Sequence, residues 1–310
     1  MQTYSSISDF SSSKGTVLTI GTFDGYHIGH QKIINHVIEV GKQKNLTSVV
    51  LTFFPHPRMV LQKDSEIKLI HTIDERTLIL SKTGLENLII QPFTKDFSRL
   101  SAADFVKDVL VGQLNVKHII IGYDHRFGKN RTATLTDLKA FGEQYHFTVE
   151  EISAQEIKAV SVSSTKIRKA LQNGEIEKAN AYLGTPFQLS GTVVRGKGIG
   201  KTINFPTANI EVKENYKMIP KQGVYIAEAF IQGKKLMGMM NIGVNPTVNG
   251  NKRSIEMHLF KFNADIYDQK ITVKILKRIR NEQKFESVMQ LQLQLNKDKQ
   301  QALTYFENHN

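Results

Sequence analysis

The sequence predicts two domains of different class: an open α/β domain built on a parallel sheet, then an all-β domain closed by a helix. In the first half, short apolar runs alternate with helical stretches, the pattern of strands with helices on their faces. Past Gly184-Thr185-Pro186 come short alternating segments parted by glycine, asparagine and proline turns, which reads as an antiparallel barrel or sandwich. A length of 310 residues suits two domains. The change of character divides them into 1–186 and 187–310.

Each element follows in order. Val17 to Ile20 reads as a buried strand running into the glycine-rich turn Gly21 to Gly29. Gln31 to Lys44 has apolar residues at Ile33, Ile34, Val37 and Ile38, the spacing of an amphipathic helix. Ser48 to Phe54 is a second strand, stopped by Pro55-His56-Pro57. Leu88–Ile90 and His118–Ile121 are further strands, with helical stretches at Asp74–Lys82, Ala102–Leu110 and Ile167–Leu171. In the second domain the strands are Leu189–Arg195, Val224–Ile231, Leu236–Ile242, Ile255–Phe262 and Ile271–Leu276, and Phe285–Phe306 is the closing helix. Open parallel sheets bind ligands beyond the carboxyl ends of their strands. The unusual residues gather at those ends: Gly21–His30, Pro55–Pro57 and Gly122–Gly128.

Composition excludes several classes. Hydrophobic residues make up 40% and charged residues 23%, as in soluble globular proteins. No run approaches the roughly 18 apolar residues of a membrane helix. Met1–Lys14 is polar and serine-rich, unlike a secretory signal, so a cytoplasmic protein without a membrane partner is expected. Cysteine is absent, which removes disulfides, thiolate nucleophiles and Cys-based zinc sites. The net charge is +12, and from Phe187 onward 19 Lys and Arg face 10 Asp and Glu. A basic half serves a polyphosphate as readily as a nucleic acid. The aromatic residues there are scattered along strands instead of forming a base-stacking cluster, which argues against nucleic acid.

Two constellations carry chemistry. In the first, Gly21, Gly25 and Gly29 let the backbone turn tightly around Phe23 and Asp24 at a strand-to-helix junction, where unpaired N–H groups attract phosphate. His27 and His30 fall on the first helical turn, placed to donate to the same oxygens of a transferring phosphoryl group. A metal site of Asp24, His27 and His30, or a plain turn with incidental histidines, are the alternatives. Ser163, Ser164 and Thr165 open a later helix; with Lys166 and Arg168 that start becomes a polyphosphate grip, and without them a simple cap.

In the second constellation, Gly196, Gly198 and Gly200 alternate with Lys197 and Lys201 in a loop suited to phosphate, or to a flexible basic hairpin. It lacks the spacing of a Walker loop. Thr207 and Asn209 offer the hard oxygens that Mg²⁺ favours, or else make a turn. Glu256 sits on an alternating strand, with Ile255, Met257 and Leu259 on one face and Glu256 and His258 on the other. Strand glutamates are usually solvated.

As ordered sets these motifs resemble a known family. His27-Ile28-Gly29-His30, Pro55-His56-Pro57, Gly122–Gly128 and Ser163-Ser164-Thr165-Lys166-Ile167-Arg168 are similar to the adenylyltransferase module of bacterial FAD synthetases. The glycine loop, Phe205–Asn209, Gly223-Val224-Tyr225, Asn241–Thr247, Ile255–His258 and Arg278-Ile279-Arg280 resemble the riboflavin kinase module. In that order they form the layout of the bifunctional riboflavin kinase/FAD synthetase family. The resemblance implies a Rossmann-like nucleotidyltransferase domain and a six-stranded antiparallel kinase barrel with a terminal helix. It implies phosphorylation of riboflavin to FMN and adenylylation of FMN to FAD, with ATP as co-substrate and Mg²⁺ as cofactor. His27, His30 and Arg168 would act on the α-phosphate, and Gly21, Phe23, Asp24, Gly25, Gly29, Asp124, Ser163, Ser164 and Thr165 would line that site. Glu256 would be the kinase base, Thr207 and Asn209 the metal ligands, and Gly196, Lys197, Gly198, Gly200, Lys201 and Tyr225 further binding residues. Phe54 stands where the family carries an acidic residue, and His125 where it carries Phe; these two raise the alternative of a kinase with an inactive first module. Lys201 and Asn204 replace the more usual Arg and Gly; Lys keeps the charge, and Asn tolerates glycine-like backbone angles. The oligomeric state stays open between monomer and weak homo-oligomer.

Overall fold

The computed structural model describes all residues except 63–65, 123–125, 153–161, 197, 248–249 and 310, and leaves out the side chains of 199, 201, 245–247 and 250–252 as well. The described chain divides into two compact units, Met1–Ser163 and Ser164–Asn310.

The first unit holds a parallel sheet of β1 (Gln2–Tyr4), β2 (Thr16–Ile20), β3 (Thr47–Phe54), β4 (Asn87–Pro92), β5 (Val116–Gly122) and β6 (Thr148–Ile152). Their spatial order is β1-β4-β3-β2-β5-β6. Its helices are α1 (Ile28–Lys44), α2 (Pro57–Leu61), α3 (Ile73–Leu80), α4 (Ala102–Asp104, continued by a π-helical stretch over Phe105–Gln113) and α5 (Leu135–Tyr145). A parallel sheet needs cover on both faces, and successive residues of β2 show it. Leu18 packs with Phe105, Val106 and Leu110, while Val17 packs with Ile33, Val37 and Val40 of α1. The strand order reverses at β2: β3 lies on one side and β5 on the other. Open α/β sheets bind ligands at such a reversal, beyond the strands' carboxyl ends, and Gly21 follows β2 there.

The second unit starts with α6 (Ser164–Asn173) and α7 (Ile176–Leu183). Then come β7 (Phe187–Val194), α8 (Ile199–Thr202), β8 (Ala208–Glu211), β9 (Gly223–Ile231), β10 (Lys234–Thr247), β11 (Gly250–Leu259), β12 (Lys270–Arg280) and α9 (Val288–Asn308). The six strands close into a barrel, β10-β11-β8-β7-β12-β9, with antiparallel pairing throughout. Of the two all-β forms the sequence allows, the barrel forms. Asn180 of α7 ties its helix to two strands: its amide donates to the carbonyls of Ile275 (2.9 Å) and Leu276 (3.3 Å), and its oxygen accepts from the Phe187 N–H (2.7 Å). Ala302 and Phe306 of α9 pack against Ile226, Met239 and Phe260.

Several elements differ from the sequence expectation. Strands β1, β6 and β8 and helices α2, α5, α7 and α8 are additions. β1 and β6 are the sheet's two edges, half-polar, without the apolar run that marks the central strands. The first helix begins at Ile28, three residues before Gln31, because His27 caps it. The closing helix begins at Val288, where the Ser287 side chain accepts from the Gln290 N–H at 3.2 Å.

Candidate active sites

The first site grows out of a backbone bend that the sequence can hold only with tertiary help. Phe23 (φ +46), Gly25 (φ +89) and Tyr26 (φ +36) all lie in the left-handed region, which costs energy for the two aromatic residues. Buried partners stabilise it. The Asp24 carboxylate, fully buried, accepts from the N–H groups of Ile70 (2.9 and 3.1 Å) and His71 (3.2 Å). Arg76, 1% exposed, lies 3.9 Å from the same carboxylate and donates to Thr52 Oγ1 at 3.2 Å. At Gly25 the left-handed φ of +89 favours glycine, and a Cβ there would also press on Ile70 Cδ1 at 2.8 Å.

The bend delivers two histidines to the helix start. His27 Nδ1 accepts the backbone N–H of His30 at 3.3 Å, and the rings stack with centroids 3.6 Å apart. Acceptance at Nδ1 places the neutral His27 proton on Nε2. Phe23 meets the His30 ring edge-on at 5.1 Å. Burial, with His27, Arg76 and His71 nearby, holds the His30 pKa well below the ordinary histidine value. His30 is therefore neutral near pH 7, and among the described residues its buried Nδ1 has no hydrogen-bond partner.

Asp24 thus pins the turn through backbone N–H groups. Among the described residues, no group of three His, Cys, Asp or Glu side chains is placed to hold a metal ion, so the metal alternative for Asp24, His27 and His30 has no structural support. Ser163 precedes α6, and Ser164, Thr165 and Arg168 lie on it, with Thr165 exposed and Ile167 buried beneath. Asp124 and His125 lie outside the described residues. Phe54 ends β3 in a cis peptide bond to Pro55, and its carbonyl accepts the Phe93 N–H at 3.2 Å.

The second site forms where the glycine loop folds back on the segment that follows it. Phe205 N–H donates to the Gly200 carbonyl at 2.8 Å, and Asn204 adopts φ +60, as its glycine-like tolerance allows. A Cβ at Gly200 would fall 2.2 Å from the Phe205 oxygen, and one at Gly196 would fall 2.1 Å from Asn209 Nδ2. Both glycines are thus fixed by close packing. Lys197 and the Lys201 side chain lie outside the described residues; Gly198 adopts φ +72.

β8 and β11 then bring three predicted residues together. Asn209 pairs with Glu256 in register, and Thr207 Oγ1 donates to Glu256 Oε2 at 3.2 Å. Hydroxyl, amide and carboxylate groups brought together beside Gly196 are the hard donors that suit Mg²⁺ shared with substrate phosphates. Tyr225 is fully buried, and its hydroxyl donates to the Lys221 carbonyl, so it serves the frame behind the site. His258 is also buried, which covers the strand face expected to be solvated. The sequence reading missed Glu282, whose Oε1 comes so near Gly243 that a Cβ there would lie 2.4 Å away. It also missed an open surface groove of about 420 Å³ beside Lys284, Phe285, Leu293 and Lys297. The one sequence signal was apolar residues, Val288, Met289 and Leu293, on an otherwise polar helix start, where they stay exposed.

Comparison with known proteins matches a family to each half of the chain. A family model for FAD synthetase matches residues 9–166, and one for riboflavin kinase matches 183–306. A bifunctional riboflavin kinase/FMN adenylyltransferase of Buchnera aphidicola subsp. Schizaphis graminum is 38% identical over 298 residues, 95% of each chain. The protein of the same name from Bacillus subtilis is 38% identical over 94% of this chain and 93% of its own. A crystal structure of a macrolide-efflux protein from Streptococcus pneumoniae superposes with a TM-score of 0.87 at 32% identity, covering 96% of both chains. No described helix is long and apolar enough to cross a membrane. The chain belongs to the bifunctional riboflavin kinase/FMN adenylyltransferase family.

Proposed function

We propose that this protein phosphorylates riboflavin to FMN and adenylylates FMN to FAD, drawing on ATP for both steps. The observation that carries the reading is the meeting of Thr207, Asn209 and Glu256 under the glycine loop, within a chain matched in tandem by both family models. The tandem match favours two activities over a kinase with an idle first module.

In the kinase step, Glu256 accepts the proton of the ribityl 5′-hydroxyl as its oxygen bonds to the γ-phosphorus and ADP leaves. Thr207 and Asn209 would hold Mg²⁺, which supplies charge neutralisation on the phosphates when bound. Gly196, Lys197, Gly198, Gly200 and Lys201 surround the phosphates, and Tyr225 supports them from behind. Glu282, beyond the end of β12, reaches Gly243 of β10, the strand paired with β11. In the adenylyl step, a phosphate oxygen of FMN bonds to the α-phosphorus of ATP and pyrophosphate departs. His27 and His30 donate to the charge that develops there, and Arg168 with Ser163, Ser164 and Thr165 holds phosphate oxygens. Gly21, Gly25 and Gly29 keep the turn open to the nucleotide, Phe23 and Asp24 brace it, and Asp124 adds a polar contact. In function the chain divides at 186/187, while α6 and α7 fold with the second unit; the protein works in the cytoplasm, and ATP and flavins are its partners.

The test is flavin chromatography after incubation with MgATP, from riboflavin in one reaction and FMN in the other. FMN then FAD in the first, and FAD in the second, is the expected result. Unchanged flavin in both, from folded protein, would overturn the reading.

A further inference from the structure

His258 stands two residues beyond Glu256 on β11, on the same side of the strand by the two-residue alternation of side chains. Its Nδ1 lies 2.8 Å from the carbonyl oxygen of Pro206. A carbonyl only accepts, so Nδ1 carries the proton and donates. The Pro206 carbonyl belongs to the peptide that carries Thr207, whose hydroxyl reaches Glu256 at 3.2 Å. One strand therefore grips the Pro206–Asn209 segment at three points: His258 to the Pro206 carbonyl, Glu256 to the Thr207 hydroxyl, and the ladder pairing of Glu256 with Asn209.

The surroundings lock the imidazole in place. Phe205 sits 5.1 Å from the His258 ring and Phe260 meets it at 5.7 Å in an edge-on arrangement. The Lys299 ammonium of α9 lies over the Phe205 ring at 5.9 Å. Burial, with the Lys299 charge beside it and against the Pro206 bond, keeps the His258 pKa below its ordinary value. A proton on Nδ1 alone suits a fixed donor, not a group that changes charge in turnover.

We propose that His258 is a positioning residue for phosphoryl transfer: its Nδ1–H bond to the Pro206 carbonyl sets Thr207 and Asn209 at the working distance from Glu256. The proposal rests on the kinase reading above. Losing the bond would take one of the three holding points from the segment and release the peptide next to Thr207.

The test compares His258→Leu, which keeps apolar bulk but lacks the donor, with His258→Asn, whose amide can stand at the Nδ1 position. Three readouts apply: kcat and KM for MgATP in FMN formation, hydrogen exchange of a peptide spanning 205–210, and adenylylation of supplied FMN as a folding control. H258L is expected to lose tenfold or more in kcat/KM and to exchange faster over 205–210, with unchanged adenylylation. H258N is expected to recover most of both losses. If H258L folds poorly, His258→Gln, which moves the amide away from Nδ1, takes its place against H258N. Wild-type kinetics in H258L, or H258N as impaired as H258L, would overturn the positioning role while leaving the kinase reading intact. A native protein that makes no FMN would overturn the kinase reading itself.

Discussion

At the scale of single residues, both sites use groups whose ordinary behaviour has been altered by their neighbours. His30 is kept neutral by burial and by the positive groups around it. Glu256 is held by the Thr207 hydroxyl in place of bulk water alone. A general base typically contributes a factor of about 10² to 10⁴. Glu256→Gln should therefore cut FMN formation by at least about 100-fold while FAD formation from supplied FMN continues. His30→Ala should do the opposite, at a cost of about 10² to 10³ for a lost transition-state donor. Chromatography of the two flavin products separates the cases, and a variant that lost both activities while folded would contradict two independent sites.

Among the elements, α9 owes its place on the barrel to one buried ion pair as much as to its apolar face. Asp298, 1% exposed, accepts from Arg280 Nε at 3.0 Å to each oxygen and from Nη2 at 2.7 Å; Gln294 adds a bond of 2.8 Å. Arg280 closes β12, so the pair fixes the chain just before Glu282 and the groove. Removing one partner of a buried pair costs about 3 kcal/mol or more, because the other charge is left uncompensated. Asp298→Ala should lower the urea midpoint of the second unit accordingly and weaken riboflavin binding. An unchanged midpoint would show that the apolar contacts of Ala302 and Phe306 suffice. In α1 the cap is itself a proposed site residue: His27 holds the first turn through the His30 N–H, so cap and proposed site cannot be varied separately.

For the whole molecule, the extent of the second unit and the response to acid can both be measured. Ile176, Ala179 and Leu183 of α7 are buried, and Asn180 bridges β7 and β12. A fragment of residues 164–310 should fold and keep kinase activity, whereas 187–310, lacking α7, should melt at lower temperature or aggregate. Equal melting of the two would mean that α7 is dispensable. Acid acts on both units through buried histidines. Burial lowers the pKa of His118, against the bond to Glu150 that raises it, and His30 and His258 are lowered too. A histidine with a depressed folded pKa binds its proton more readily when unfolded. Stability from these groups is thus complete above the ordinary value of 6.5 and declines as pH falls below it. Thermal unfolding at pH 5.5 should occur below that at pH 7.5; the reverse order would show that other groups dominate.

The sequence alone determined the order of the two domains, the central strands and the residues proposed for both sites. Those features are local: apolar period, turn residues and motif spacing lie within a few residues of one another. It did not disclose β8, whose four residues look like a turn until Glu256 and Asn209 pair across β11. Nor did it disclose that Asp24 and Tyr225, read as ligand contacts, are buried braces, because burial depends on partners such as Ile70 and Lys221. The link from His258 to Pro206 spans 52 residues. Only tertiary structure decides which polar group satisfies which, since a hydrogen bond depends on distance in space and the chain pattern records distance along the sequence.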